Sequence, residues 1–552
     1  CGKDHRLASE RRREFNYLLQ LENPQKYILS HPDDIRTTRS VPHSQAYAAY
    51  GATVLGSPCG TEIFCKQWLD DYLSDLTEIA QTIINFPDAQ SQFIFLRLIF
   101  CNKINHLQRT IFPEIIDDFV KKFEVLKRKL LCEILHIPEL HEDAWSQATL
   151  QFEYGGLGLR NAADTTDCAF VASALSCLPS IVKFFPCIQS MLDNRDYSLG
   201  WLKVLQSACC RLAQTDEDYY EDKIAFRGGV FDPGKLFELN LGNADKLQAV
   251  LMIPRNKCKG QAFLATPADM NDREIARRVA VASSEAAALF RIACLSPGRH
   301  LGSHHFIVAT KQFLGIPVNA HFDIGQCICK AKRNLINEFG DHFFTCPVGG
   351  ERYVTHDGLK LVVAAMCNYA GIRTKIEPSH CLQNVDRSDK SKDLRPDILV
   401  YHAHVRVLNP ANQHGLRNLI LDISVAHPIA AFNINFKKKR NAAMIREREK
   451  IGKYSRQASD NNLDFLPLAF EMFGSWGPIM RRFFEDIIAE AARHRHELKG
   501  PIAEYWMQRI SAALHFGCAN LLISRMQRVS EAAMVNRDES TNPDLRLVNP
   551  QL

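Results

Sequence analysis

Four side chains with affinity for soft divalent metals, Cys327, Cys329, His342 and Cys346, fall within twenty residues in the pattern C-x-C-x12-H-x3-C. Three thiolates and an imidazole suit tetrahedral Zn²⁺, and a metal held by all four replaces the apolar core that so short a stretch cannot build. The stretch has to fold as a tight knuckle of turns, which Gly340-Asp341 and Gly349-Gly350 are equipped to make. His342 and Cys346 stand at i and i+4 and face the same way on one helical turn. With every position of the ion taken by protein, such a site is structural. The first spacer is shorter than the common C-x2-C. His321 is an alternative ligand, and cysteines packed in a small core are the plain alternative.

An acidic constellation follows. Arg395-Pro396-Asp397 runs into Ile398-Leu399-Val400-Tyr401, and Leu419-Ile420-Leu421 runs into Asp422. Short β-branched and aliphatic runs bounded by Pro and polar loops read as buried strands. Paired side by side, they bring both carboxylates near one sheet end, where hard oxygens could share a divalent cation such as Mg²⁺. A cation so held polarises a phosphate and lowers the pKa of bound water, and a lysine then steadies the developing charge. Lys450 and Lys453, at i and i+3 on a following helix with Tyr454 beside them, are the candidates. Taken singly, the acids have plainer readings: Pro-Asp is common turn chemistry, and Asp422 could cap a helix. Their joint order behind the Cys/His group favours function. His356 and Asp357 open an amphipathic helix (Leu359, Val362, Val363, Met366) and are cap and surface residues in the plainer reading. Lys437-Lys438-Lys439-Arg440 is a solvated helix start or a contact to DNA phosphates.

The rest of the chain sets the frame. A length of 552 residues permits several domains, and 46% hydrophobic with 23% charged residues is ordinary for a globular protein. The net charge of +5 favours nucleic acid without demanding it, so local patches must supply the rest. Eighteen cysteines without regular pairing argue for a reducing compartment. No apolar run is expected to span a membrane, no signal-peptide pattern opens the chain, and the first residue, Cys rather than Met, is expected of a fragment. Helical periods run through Leu69, Tyr72, Leu73, Leu76, Ala80 and Ile83, through Phe93, Leu96, Phe100, Ile104 and Leu107, and, after Pro113, through Ile115, Phe119, Phe123, Leu126 and Leu130. Lys121, Lys122, Lys127, Arg128 and Lys129 give this bundle a basic side, for a nucleic-acid duplex or simply for solvent. Residues 161–320 are helical by period. Residues 465–470 are expected to be a strand closing a sheet, with two helices after it, and 535–552 an unstructured tail.

The motifs GDHFFTC, HDGLK, LRPDILV, LILDISVAHP and KIGKY, in that order, resemble the restriction-like (PD-(D/E)xK) endonuclease of non-LTR retrotransposon proteins, and FLPLAF and GSWG match the end of that domain. Asn23-Pro24-Gln25-Lys26 and Gly51 to Gly60 resemble the end of a retroelement reverse-transcriptase palm, and Tyr154 to Arg160 a stretch that follows its thumb. The resemblance implies an α+β multidomain chain. Its parts are a palm remnant (1–66), a helical thumb-like domain (67–175), a helical linker (176–320), a zinc knuckle (321–350), an α/β restriction-endonuclease-like core (351–477), C-terminal helices (478–534) and the tail. It further implies that Asp397 and Asp422 hold Mg or Mn, that Glu377 assists, and that Lys450 or Lys453 stabilises charge beside Tyr454. Arg395, Lys127, Arg128, Lys129, Lys438, Lys439 and Arg440 would contact nucleic acid. The implied partners are target DNA and element RNA or an RNA–DNA duplex, and the implied location is the nucleus. The sequence departs from the family at two places: Ser424 stands where a lysine is expected, and Thr355 where a basic residue precedes His356. Members of the fold also draw the lysine from the following helix. The polymerase metal pair would fall before residue 1, and Asp70-Asp71, inside a helical period, is no substitute, so this chain is not expected to polymerise. The rival reading is a catalytically inactive fragment that only binds nucleic acid.

Overall fold

Helices make up most of the chain and the sheets are small, an α+β composition. The protein is seen in a computed structural model that describes residues 50–239, 244–265, 267, 270–318, 327–329, 336–379, 381–382, 395–401, 417–430 and 441–541. The palm-like stretch before residue 50, His321, Lys437 to Arg440 and the end of the tail lie outside the described residues.

By compactness the chain forms two units, each drawn from three separate stretches. The first comprises 1–85, 95–131 and 160–259, and the second 86–94, 132–159 and 260–552. In the first unit, strands Gly51–Val54 (β1) and Ser57–Gly60 (β2) pair through the turn Leu55-Gly56. Both turn residues have positive φ (50° and 81°), as a two-residue hairpin requires. Thr61 then caps helix Glu62–Ile84 (α1), which holds Asp70 on its surface in an ion pair with Lys122. The period through Phe93 and Leu107 does not give one helix. It breaks into Ala89–Leu98, a 3-10 turn and Asn105–Thr110. Asn102 Nδ2 donates to the Leu98 carbonyl at 2.8 Å, a side-chain bond that competes with the backbone ladder there. Helix Pro113–Ile134 (α2) starts at its proline, which needs no N–H donor in a first turn.

Among the described residues, helix Ala162–Phe184 (α3) alone is long and apolar enough to pass for a membrane span by length and composition, and half of its most apolar window is buried inside the protein. Here Cys168, Phe170, Val171, Leu175 and Leu178 are buried in the core of the first unit, against Leu202, Leu205 and Leu212 and the hairpin Phe226–Arg227 (β3), Val230–Phe231 (β4). Arg211 binds Asp167 of the same helix at 2.7 Å.

The second unit carries the four-stranded sheet. Helices Asp341–Thr345 (α4) and Glu351–Tyr369 (α5) lead into strands Thr374–Ile376 (β5), Ile398–Val400 (β6) and Asn418–Ala426 (β7). Helix Ala442–Asp460 (α6) crosses back to Leu463–Glu471 (β8). The order is β5-β6-β7-β8, antiparallel until β7 and β8, which are parallel because a helix joins them. β7 is central and apolar on both sides. Pro467 sits in β8, an edge strand, where the missing N–H costs little. Helices Pro478–Arg495 (α7) and Lys499–Thr541 (α8) follow, and α8 packs along α5. α8 runs past residue 535, where a tail is expected. Its last turns contain no Gly or Pro, and the first breaker is Pro543.

Candidate active site and metal centre

The register of the sheet decides which acids meet. Ile398 stands against Leu421, and Ile376 against Ile398. Asp397 and Glu377 each stand one residue past these last pairs, and Asp422 follows Leu421 on β7. Glu377 N–H donates to Asp397 O at 2.8 Å, which continues the β5–β6 pairing, whereas Asp397 N–H donates to Leu421 O at 3.2 Å, so Asp397 and Ile398 both stand against Leu421. The three carboxylate residues thus form an acidic row along one end of β5, β6 and β7, with Asp397 close enough to Asp422 that its charge raises the pKa of Asp422. The Ile423 N–H fixes the Asp397 carboxylate, donating to Oδ2 at 2.6 Å.

Two helices bring cations to this row. From α5, His356 Nε2 lies 3.1 Å from Asp397 Oδ2, and its Nδ1 lies 3.3 Å from Asp357 Oδ1. The Asp397 bond holds the imidazole pKa above its usual value. Lys360, one turn on, is buried and pairs with Asp357 at 2.8 Å and with Glu377. Burial opposes its charge, and the two carboxylates outweigh burial and hold its pKa up. From α6, Lys450 Nζ reaches Asp422 Oδ2 at 2.8 Å. Asp422 is only 4% exposed, and burial pushes its pKa up, with Lys450 opposing and Asp397 adding to the shift. Tyr454 is buried, stacks on Phe465 at 5.2 Å between centroids and bonds to Asp422. Burial pushes its phenol up to about 12. Lys453 is exposed, with its ammonium 5.0 Å from the Tyr454 ring centroid. Ser424 Oγ is buried with no hydrogen-bond partner among the described residues, and the ammonium comes from α6 instead.

Glu377, Asp397, Asp422, Lys450, Tyr454 and His356 thus come together, and Lys453 stands off. Lys360 is the residue sequence reasoning missed. Its signal is its i+4 spacing from His356 in HDGLK, which stacks the two on one helix face. Arg395 is exposed two residues ahead of Asp397. The expected basic side of α2 is corrected at Lys127, which is 0% exposed. Its ammonium is spent on Glu124 at 2.5 Å and the Arg160 carbonyl at 2.7 Å, so it cannot meet a phosphate. Lys121 and Lys122 pair with Asp117 and Asp118, while Arg128 is half-buried and Lys129 exposed.

The Cys/His group gathers as its spacing demands. Cys327 Sγ and Cys346 Sγ are 3.7 Å apart, Cys329 Sγ and His342 Nε2 3.4 Å, and all four ligand atoms lie within 4.8 Å of one another. Zn–S bonds of about 2.3 Å and Zn–N bonds of about 2.0 Å at tetrahedral angles put sulfurs about 3.8 Å from each other and about 3.5 Å from nitrogen. The group therefore fits a metal such as zinc, and its sulfurs are far beyond disulfide length. α4, which carries His342, is tied to its surroundings on several sides. Arg273 pairs with Asp341 at 2.6 Å, Arg525 Nη1 donates to Phe343 O at 2.6 Å and Cys346 O at 3.3 Å, and Arg525 also meets Glu351 at the start of α5. His427, the residue after β7, lies with Nε2 3.2 Å from Asp341 O and packs edge-on against Phe344.

No protein-family model matches the chain, and no curated protein is similar to it at a significant level.

Proposed function

We propose that this chain is a metal-dependent DNA endonuclease. It would be the part of a non-LTR retrotransposon protein that nicks target DNA in the nucleus, so that the exposed 3′ end primes reverse transcription. The observation that carries the reading is the pairing of β6 with β7, which sets Asp397 beside Asp422 with Lys450 bound to the latter. The assignment to DNA and to retrotransposons rests on the motif order in residues 340–477.

The donor set suits a hard divalent cation. Asp397 and Asp422 would hold Mg²⁺ or Mn²⁺, and Asp422, whose buried charge one lysine only partly compensates, gains most from a second cation. Bound there, the ion supplies Lewis acidity to the phosphate and a more acidic water. The chain's own residues do the rest. Lys450 keeps an ammonium where negative charge grows on the phosphate. Tyr454 holds that lysine against its ring, 5.2 Å from Nζ to centroid, and keeps its own proton at neutral pH. His356 and the Ile423 N–H fix the Asp397 carboxylate, and Lys360 anchors Glu377.

The test is nicking of supercoiled plasmid with Mg²⁺ or Mn²⁺. The parent chain nicks, and Asp397→Ala and Asp422→Ala each lose about 100-fold or more. One observation favours the rival reading of an inactive nucleic-acid-binding fragment: the unpartnered hydroxyl of Ser424 where a lysine is expected. Salt-sensitive plasmid binding without any nicking establishes that rival and ends the enzyme reading.

A further inference from the structure

The far end of α5, the end of α7 and the first turns of α8 enclose a recess of about 600 Å³, lined by Tyr369, Arg495, Tyr505, Trp506 and Arg509 among others. Tyr369 is thirteen residues beyond His356 on α5, so the recess lies about 20 Å along that helix from the acidic row. Its walls are unlike those of a plain surface dimple in two respects.

Aromatic faces come first. Tyr505 and Tyr369 both meet the Trp506 indole, at 5.4 and 5.5 Å between centroids. Guanidinium groups lie over these rings: Arg495 sits 3.8 Å from the Tyr369 centroid, and Arg509 5.2 Å from that of Trp506. The one carboxylate in the lining, Glu497, receives the Tyr369 hydroxyl at 3.2 Å. A ligand that answers both features has a flat π face and negative charge.

We propose that this recess binds an unpaired nucleotide of a nucleic-acid strand. The base lies against the aromatic rings, and the phosphate meets Arg495 and Arg509. Stacking on aromatic side chains beside arginines is how single strands are held without sequence preference. The inference extends the nuclease reading by giving a strand a second anchor away from the acids, and the binding itself needs no cleavage.

The experiment is fluorescence anisotropy of the full chain with labelled oligothymidylate, oligouridylate and a duplex of the same length, without added Mg²⁺. Tyr505→Ala and Arg509→Gln each weaken single-strand binding about tenfold, while duplex binding changes little. Tyr505→Phe retains single-strand affinity, which separates lost stacking from damaged folding. Asp397→Ala also retains it, so failure of the nuclease reading and failure of this one are read separately. An effect confined to the thymidylate or to the uridylate identifies the strand as DNA or RNA. Parent-like affinity of Tyr505→Ala and Arg509→Gln for both oligonucleotides overturns the proposal, as does binding of an acidic peptide that these variants lose while keeping both oligonucleotides.

Discussion

Lys450 and Lys453 are one helical turn apart, and spacing alone ranks them equally. The structure separates them by what each ammonium meets: Lys450 spans to Asp422 at 2.8 Å, while Lys453 lies over the outer side of Tyr454 in solvent. Charge stabilisation falls off steeply when water intervenes, so only the former should matter to the proposed reaction. Lys450→Ala is expected to lower the nicking rate about 100-fold, and Lys453→Ala to leave it within a factor of about three, as measured on supercoiled plasmid at matched protein concentration. Equal losses in both variants would sink this assignment. Asp397 and Asp422 were legible in the sequence because each abuts an apolar run that can only be a buried strand. Lys360 was not, because its partner Glu377 reaches it from a turn residue at φ 45°, a conformation that residue type does not announce. Lys127 shows the opposite failure. A run of basic residues carries no sign of the Glu124 carboxylate and the Arg160 carbonyl that draw one of them inside.

At the scale of elements, the short helix α4 is held on several sides. It carries His342, accepts Arg525 from α8 at Phe343 O, and meets His427 at the end of β7. Arg525 and Arg528 also hold Glu351, the first residue of the helix that bears His356 and Lys360. A metal at the Cys/His group therefore orders α4, and through these bonds the near ends of α5 and β7. Purified protein is expected to contain stoichiometric zinc, and Cys346→Ser to lose it. Hydrogen exchange in that variant should quicken in residues 341–346, in the first turns of α5 and around residue 427, while α3 keeps its protection. Unchanged exchange at 351–360 and 427 would confine the metal's influence to its own loop. The sequence showed the four ligands and the helical turn joining two of them. It did not show the arginines, which lie some 180 residues away on α8 (179 from Cys346 to Arg525) and bear no local mark of their partners.

At the scale of the whole molecule, motif order and compactness divide the chain differently. The acidic row, the Cys/His group and helices α4 to α8 all lie beyond residue 260, yet the unit that holds them also includes 86–94 and 132–159. Those segments are interior parts of it. Phe93 meets Phe290 and Phe306 at 5.9 and 5.6 Å between ring centroids, and Phe290 in turn meets Phe313. Gln90, 211 positions earlier in the chain, accepts the Leu301 N–H at 2.8 Å, and Gln147 donates to Phe313 O and receives the buried Arg277. Boundaries read along a sequence cannot report such contacts, because hydrophobic period gives each helix a buried face without naming what covers it. A fragment starting at Gly260 keeps every proposed catalytic and metal-binding residue but takes Phe93 off Phe290 and Phe306 and leaves the Arg277 guanidinium short of an acceptor. Losing Phe93 alone removes about 3–5 kcal/mol, a large share of the roughly 5–15 kcal/mol that holds a domain folded. The fragment is expected to melt about 10 °C or more below the full chain and to bind a hydrophobic dye at temperatures where the full chain does not. Matching melting curves would instead mean that residues 86–94 and 132–159 only decorate a unit that folds without them.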